Sequence, residues 1–175
     1  MITQERLKEL LEYNPDTGIF IWKSRKVDRS GFNKQFAGKI AGNPQNNGYI
    51  NITVDSEVHG AHRLAFLYRE GYMPARVDHE NRVRSDNKWL NLREATVSQN
   101  GANALKYSNN SSGYKNVYWT KKTCKWQVQL MKDGKSYSGG YFTNLKDAVE
   151  TANELRFELF GEFALYEPFK GDKYE

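Results

Sequence analysis

The apolar positions of this chain fall in short groups whose spacing switches between helical and alternating. Leu7, Leu10 and Leu11 share one face at helical spacing, Thr3 stands where an N-cap belongs, and Ile2 with Leu7 makes a hydrophobic staple, so the chain is predicted to open with a short helix. Asn14-Pro15-Asp16-Thr17-Gly18 reads as a turn and Ile19–Trp22 as a short apolar strand. From Lys23 to Lys39 the sequence is polar, basic and aperiodic and reads as a loop, either a solvated connection or a DNA-facing arm. Gly48–Val54 is a strand, Asp55-Ser56-Glu57 a turn, and a second short strand lies near Val58. Ala61, Leu64, Ala65 and Tyr68 place Ala61–Glu70 on a helix that Gly71 ends and Pro74 blocks. Arg76–His79 then reads as a strand, residues 80–87 as a turn or loop, and Lys88–Leu92 as a returning segment with Trp89 as a core plug. Thr96 caps a helix from Val97 to about Leu105.

Lys106–Gly113, rich in Ser, Asn and Gly, is the clearest linker. Beyond it Tyr114–Thr120, Lys125–Met131 and Ser136–Phe142 alternate as three strands, with Asp133-Gly134 at the second hairpin turn. Asn144 opens a helix whose stripe is Ala148, Ala152, Leu155 and Leu159, and Gly161 ends it. The sequence from Glu167 is polar and expected to fray. The chain is thus predicted to be α+β, divided into residues 1–105, a linker at 106–113, a sheet-plus-helix domain at 114–166 and a tail at 167–175.

Composition narrows the partners. A formal net charge of +5 favours a polyanion, nucleic acid before a membrane surface. The single cysteine, Cys124, excludes an internal disulfide and any Cys₄ or Cys₃His zinc site. No apolar run approaches the roughly 20 residues of a membrane span and no signal peptide opens the chain, so a cytoplasmic protein is expected.

The chemistry concentrates between Val77 and Asn103. Asp78-His79 is followed by Asp86-Asn87, by Asn91-Leu92-Arg93, by Gln99-Asn100 and by Asn103. This order resembles the motif of HNH endonucleases of the phage and intron-associated, homing-like kind. Tyr13–Gly18, Trp22, Gly48-Tyr49 and Ala61–Ala65 resemble the segments that precede that motif in phage members. The resemblance implies a ββα-metal nuclease core within residues 1–105, with His79 as general base and Asn91 orienting its ring. It gives Asp78 and Asn100 to a divalent ion, Mg²⁺ or Mn²⁺ and not zinc. Two carboxamide or carboxylate oxygens suit such a hard cation, and a histidine with a reference pKa near 6.5 is largely neutral at pH 7 and able to take a proton. Asn103 is a weaker candidate for a phosphate contact or a supporting role. Arg93 either neutralises a phosphate or pairs with Asp86 across the turn. His62 is a packed core histidine or a helper of the site. Two departures stand out: Arg82 where the family usually has Gly, which implies a different turn conformation, and Glu80 where an apolar or basic residue is common. Asp78 and His79 are also neighbours on a strand, so their side chains converge only if the strand ends, bulges or twists there.

The last third resembles the DNA-binding domain of plant ethylene-response factors, through Gly113, Val117, Trp119, Lys125-Trp126 and Gly140–Phe142. Between Lys106 and Gly140 there are seven lysines, one acid and no arginine. Lys115, Trp119, Lys121, Lys122, Lys125, Trp126 and Lys135 are the candidate DNA contacts, with Trp126 able to take either face of its strand. Lysine lacks the bidentate fork, so backbone positioning is expected more than base readout. The combined reading is a metal-dependent DNA endonuclease acting on double-stranded DNA in a bacterial or phage-infected cell, a monomer in preference to an oligomer. Its rivals are a DNA-binding or regulatory protein that keeps the fold without cutting and a packaging-associated nucleoprotein factor.

Overall fold

The computed structural model describes residues 2–106, 110 and 112–171. Two compact units are present, Met1–Glu94 and Ala95–Glu175. Thr3 caps α1 (Gln4–Leu10) by accepting from the Arg6 amide. The helix stops one residue short of Leu11, which instead begins β1 (Leu11–Asn14), paired antiparallel with β2 (Ile19–Trp22). Leu11 is still fully buried, because the strand inherits the face that the helix started. The side-chain carbonyl of Asn14 accepts from the Asp16 and Thr17 amides and closes the turn between the strands.

Part of the basic segment expected as a loop is ordered into α2 (Phe32–Phe36). Asp28 makes this possible: its two carboxylate oxygens accept from the Phe32 and Asn33 amides. Arg25 lies 3.6 Å over the Phe32 ring. Local capping, which periodicity does not register, thus outweighs the poor helical pattern. β3 (Ile40–Ala41) completes the first sheet, in the order β1-β2-β3. β4 (Asn43–Pro44), β5 (Ile50–Val54) and β6 (Glu57–Gly60) form a second antiparallel sheet. α3 (Ala61–Glu70) ends at Gly71 in the left-handed conformation, as its sequence requires. Leu64, Ala65 and Leu67 of α3 pack with Leu7, Leu11, Phe20, Ile52 and Val54 in the core of this unit, and Trp89 plugs its edge against Phe66. The unit ends in β7 (Val77–His79) and β8 (Leu92–Glu94), an antiparallel pair enclosing a long loop.

The second unit begins with α4 (Val97–Asn103), closed at its N-terminus by a capping box between Thr96 and Gln99. Of the expected linker 106–113, residues 107–109 and 111 lie outside the described residues. Ser112 is buried, its hydroxyl donating to the Val117 carbonyl and accepting from the Tyr114 amide. β9 (Val117–Thr120), β10 (Lys125–Lys132) and β11 (Lys135–Phe142) form a meander, with a bulge at Val128/Gln129. α5 (Leu145–Phe160) covers one face of that sheet, burying Ala148, Val149 and Ala152 against Val117, Val128 and Leu130. Residues 167–171, expected to fray, are held: Glu167 accepts from the Lys115 amide, and Phe169 stacks on Tyr114 at 5.6 Å. Residues 172–175 of that tail lie outside the described residues. No helix among the described residues is long and apolar enough to cross a membrane.

Candidate nuclease site

The β7–β8 hairpin carries most of the motif. Asp78 lies opposite Arg93 and His79 opposite Leu92 in the strand register. Both Asp78 and His79 are buried, each 4% exposed, which is rare for a carboxylate and demands partners. Arg93 supplies them: its Nε and Nη2 both donate to Asp78 Oδ2 at 2.9 Å. Arg93 therefore pairs with Asp78 and not with Asp86, because antiparallel register sets the first two side by side. Asp86 accepts instead from the Asn81 side chain and the Lys88 amide, inside the loop.

His79 Nε2 lies 3.2 Å from Asn87 Oδ1. Burial pushes the imidazole below its ordinary range, against the opposing influence of the Asn87 hydrogen bond and the Asp78 and Asp86 charges. The ring is therefore neutral at pH 7, the state a general base needs. His62 stands edge-on to it, with ring centroids 5.4 Å apart, and Tyr49 packs on both rings. Burial, with His79 and Arg63 nearby, pushes His62 down to about 4.

Asn91 was expected to orient His79. Its side chain instead bridges the loop: Oδ1 accepts from the Asn81 amide at 2.9 Å and Nδ2 donates to the Asp86 carbonyl at 2.7 Å. Both of its amide atoms are thus engaged in shaping the turn, and the residue bonded to the ring is Asn87, which the sequence reading placed in the motif without giving it a role. Arg82 sits in the left-handed region, with φ of 64°. The turn expected to differ for want of a glycine keeps a glycine-like conformation, because the Arg82 amide must reach the His79 carbonyl at 2.8 Å.

Asn100 and Asn103 lie one helical turn apart on α4, in the second unit. Asn103 is buried and Asn100 partly so. Among the described residues no three His, Cys, Asp or Glu side chains gather into a metal cage. Of the two expected metal ligands, Asp78 lies in the first unit and Asn100 in the second. The Asp78 carboxylate fits an ion of the Mg²⁺ type, which keeps several waters and takes few protein ligands.

Residues 59–102 match the family model of HNH endonucleases. No curated protein and no solved structure matches the chain. The HNH match begins within β6, covers α3 and the whole hairpin, and ends within α4, so it contains every motif residue from Asp78 to Asn100.

In the second unit the candidate DNA contacts divide. Lys121, Lys122, Lys125 and Lys135 are exposed. Trp119 and Trp126 pair across β9 and β10 at 4.9 Å, on the face that α5 covers, and Trp126 packs against the core. The open face carries Tyr118, Gln127 and Tyr141 in one row across the strands; the two tyrosines are among the aromatics interleaved with the lysines in the sequence, while Gln127 was not singled out. Strand parity relative to buried Val117 and Val128 would have identified them. Lys115 donates its ammonium to the Gly101, Ala102 and Ala104 carbonyls, and so serves as the C-terminal cap of α4.

Proposed function

We propose that the protein is a divalent-metal-dependent DNA endonuclease that hydrolyses phosphodiester bonds through the HNH hairpin. The observation that carries this reading is a neutral, buried histidine beside a buried carboxylate at the root of a hairpin whose sequence matches HNH endonucleases. In this reading His79 takes the proton of the attacking water, a role worth on the order of 10²–10⁴ in rate. Asp78 is the metal ligand of the first unit, and Arg93 aims its carboxylate. Asn100 enters as the second oxygen ligand, and Asn103 as a supporting residue, from the motif alone. The bound ion supplies charge stabilisation at the phosphate and at the leaving 3′ oxygen.

The second unit is the proposed DNA-docking module, of the homing-like kind found with such nucleases. Lys121, Lys122 and Lys125 cluster at the first hairpin turn, and the open sheet row of Tyr118, Gln127 and Tyr141 lies beside them. A sheet of this size fits a major groove, with lysines on the phosphates.

A plasmid-nicking assay tests the main reading. Relaxation or linearisation of supercoiled DNA is expected with Mg²⁺ or Mn²⁺, and none in EDTA. Binding without cutting under all metal conditions would leave the non-cleaving DNA-binding reading. For the docking module, replacing Lys121, Lys122 and Lys125 with Ala is expected to flatten the salt dependence of binding by up to ~3 units of log–log slope, at about 0.9 per phosphate. An unchanged slope removes these lysines from the interface.

A further inference from the structure

The motif asparagine that sequence resemblance places beside the base is engaged in the loop backbone, and a different asparagine meets the ring. We propose that Asn87 is the positioning residue for His79 and that the Tyr13–Gly18 turn exists to hold Asn87 in place. This rests on the nuclease reading for its purpose, though not for its geometry.

Three observations converge. Asn87 is 3% exposed, and its Nδ2 donates to the Ser85 carbonyl at 3.3 Å. That bond fixes which way the amide faces: Oδ1 points to His79 as an acceptor, so Nε2 carries the ring proton and the basic lone pair lies on Nδ1. Second, the Asn87 carbonyl accepts from the buried Tyr13 hydroxyl at 2.7 Å, tying the loop to β1. Third, Gly18, with φ of 72°, lies so close that a Cβ there would stand 2.4 Å from both Asn87 C and Lys88 N. Only glycine permits that approach. The Trp89 amide donates to the Pro15 carbonyl at 2.8 Å, so residues 87–89 are all gripped by the turn. The Tyr-Asn-Pro-Asp-Thr-Gly sequence, some sixty residues upstream of the base in the chain, thereby becomes part of its support. A loop of this length left to itself samples many conformers, and a base misplaced by about 1 Å loses on the order of 10²-fold in rate.

The test reads the ring directly. In ¹⁵N-labelled full-length protein, long-range ¹H–¹⁵N correlation above the histidine titration range distinguishes the two neutral tautomers, with His79 assigned by its loss in His79→Gln. The Nε2–H form is expected. Asn87→Leu, which has no acceptor, should give a mixture of tautomers and a single-turnover cleavage rate at saturating DNA lower by about tenfold or more. Asn87→Asp keeps an oxygen at the same place and should restore the tautomer and most of the rate. Tyr13→Phe should keep the tautomer and lower the rate several-fold without altering DNA affinity. An Nδ1–H ring in the wild type overturns the proposal, as does an unchanged ring in Asn87→Leu or an Asp variant no better than the Leu variant. If Asn87→Leu does not fold, the wild-type tautomer and the Asp and Phe variants still decide. Absence of any cleavage by the wild type would sink the nuclease reading while leaving the tautomer result standing; wild-type cleavage with an indifferent Asn87 would sink only this inference.

Discussion

Each unit of this protein turns an arginine inward, Arg93 partly buried and Arg156 fully so, and the two are placed differently. Arg93 in the hairpin directs two donors at a single carboxylate oxygen of Asp78. Arg156 in α5 is 1% exposed and divides its donors among the Lys115 carbonyl, the Asn116 and Asn153 side chains and, at 3.9 Å, Glu167. In the proposed reading one guanidinium aims a metal-binding carboxylate; the other joins helix, sheet and the segment at Glu167. The lesson is that burial of charge does not by itself mark a site. What separates the two is whether the partner is a group with chemistry still to perform. In the proposed reading the polar interior of the hairpin is organised around such a group, while in the second unit buried Arg156 and Ser112 tie the scaffold together and Lys121, Lys122, Lys125 and Lys135 stay in solvent.

The sharpest way to break this contrast is at the proposed base. His79→Ala should lower cleavage by ~10²–10⁴ while DNA affinity stays near that of the wild type. Cutting at the wild-type rate, measured in a plasmid assay, would mean that the hairpin interior is as purely structural as that of α5.

Next come the arginines. Arg93→Met strands the buried Asp78 carboxylate and Arg156→Met strands the buried acceptors around its guanidinium, so each should destabilise the unit that contains it by about 3 kcal/mol, read by hydrogen exchange of β7 and β10 amides. Only Arg93→Met should also reduce the single-turnover rate at saturating DNA under conditions where the protein remains folded. Equal effects on that rate would erase the distinction.

A smaller effect follows from His62. Its folded value of about 4 lies below the ordinary ~6.5 of an unfolded chain. Between these limits the unfolded chain binds a proton that the folded one refuses, so stability is fully present above ~6.5 and is lost as pH falls toward 4. Allowing for partial exposure, the loss is on the order of 2 kcal/mol. His79, lowered by burial, adds in the same direction. Urea midpoints for the first unit should therefore decline between pH 6.5 and 5, above the range of ordinary carboxylates, and His62→Gln should flatten the decline. No second-unit histidine exists to produce the same trend there.

How much of this was legible in the sequence depends on the range of the forces involved. Ile19–Trp22 and Ala61–Glu70 were readable to the residue because apolar periodicity and a glycine stop are local. The strand at Leu11 and the helix at Phe32 were not, since one depends on a partner strand and the other on an aspartate cap four residues away. The motif located Asp78 and His79, and the structure explains how strand neighbours are both buried: β7 is covered on both sides, so alternation does not send either to solvent. The Asn87 contact was hidden because the motif order places Asp86-Asn87 without saying what its side chains touch, and only the distances to Tyr13, Gly18 and the His79 ring give it meaning.

The least expected effect concerns Arg82, three residues past His79. A left-handed conformation costs a non-glycine residue roughly 1–2 kcal/mol. Replacing it with glycine relieves that strain but returns conformational freedom to the unfolded chain, a cost of roughly 0.5–1 kcal/mol. The difference favours the variant by about 0.5–1 kcal/mol, so Arg82→Gly should raise the melting temperature by a few degrees. The turn hydrogen bond from residue 82 to the His79 carbonyl is a backbone bond and survives the change. Arg82→Asn should fall between, because asparagine tolerates the left-handed region better than arginine. Arg82→Ala serves as the control: it deletes the same charge as glycine but keeps the Cβ and its strain. If glycine and alanine shift stability equally, the charge of Arg82 governs the effect, and the turn is not strained at all.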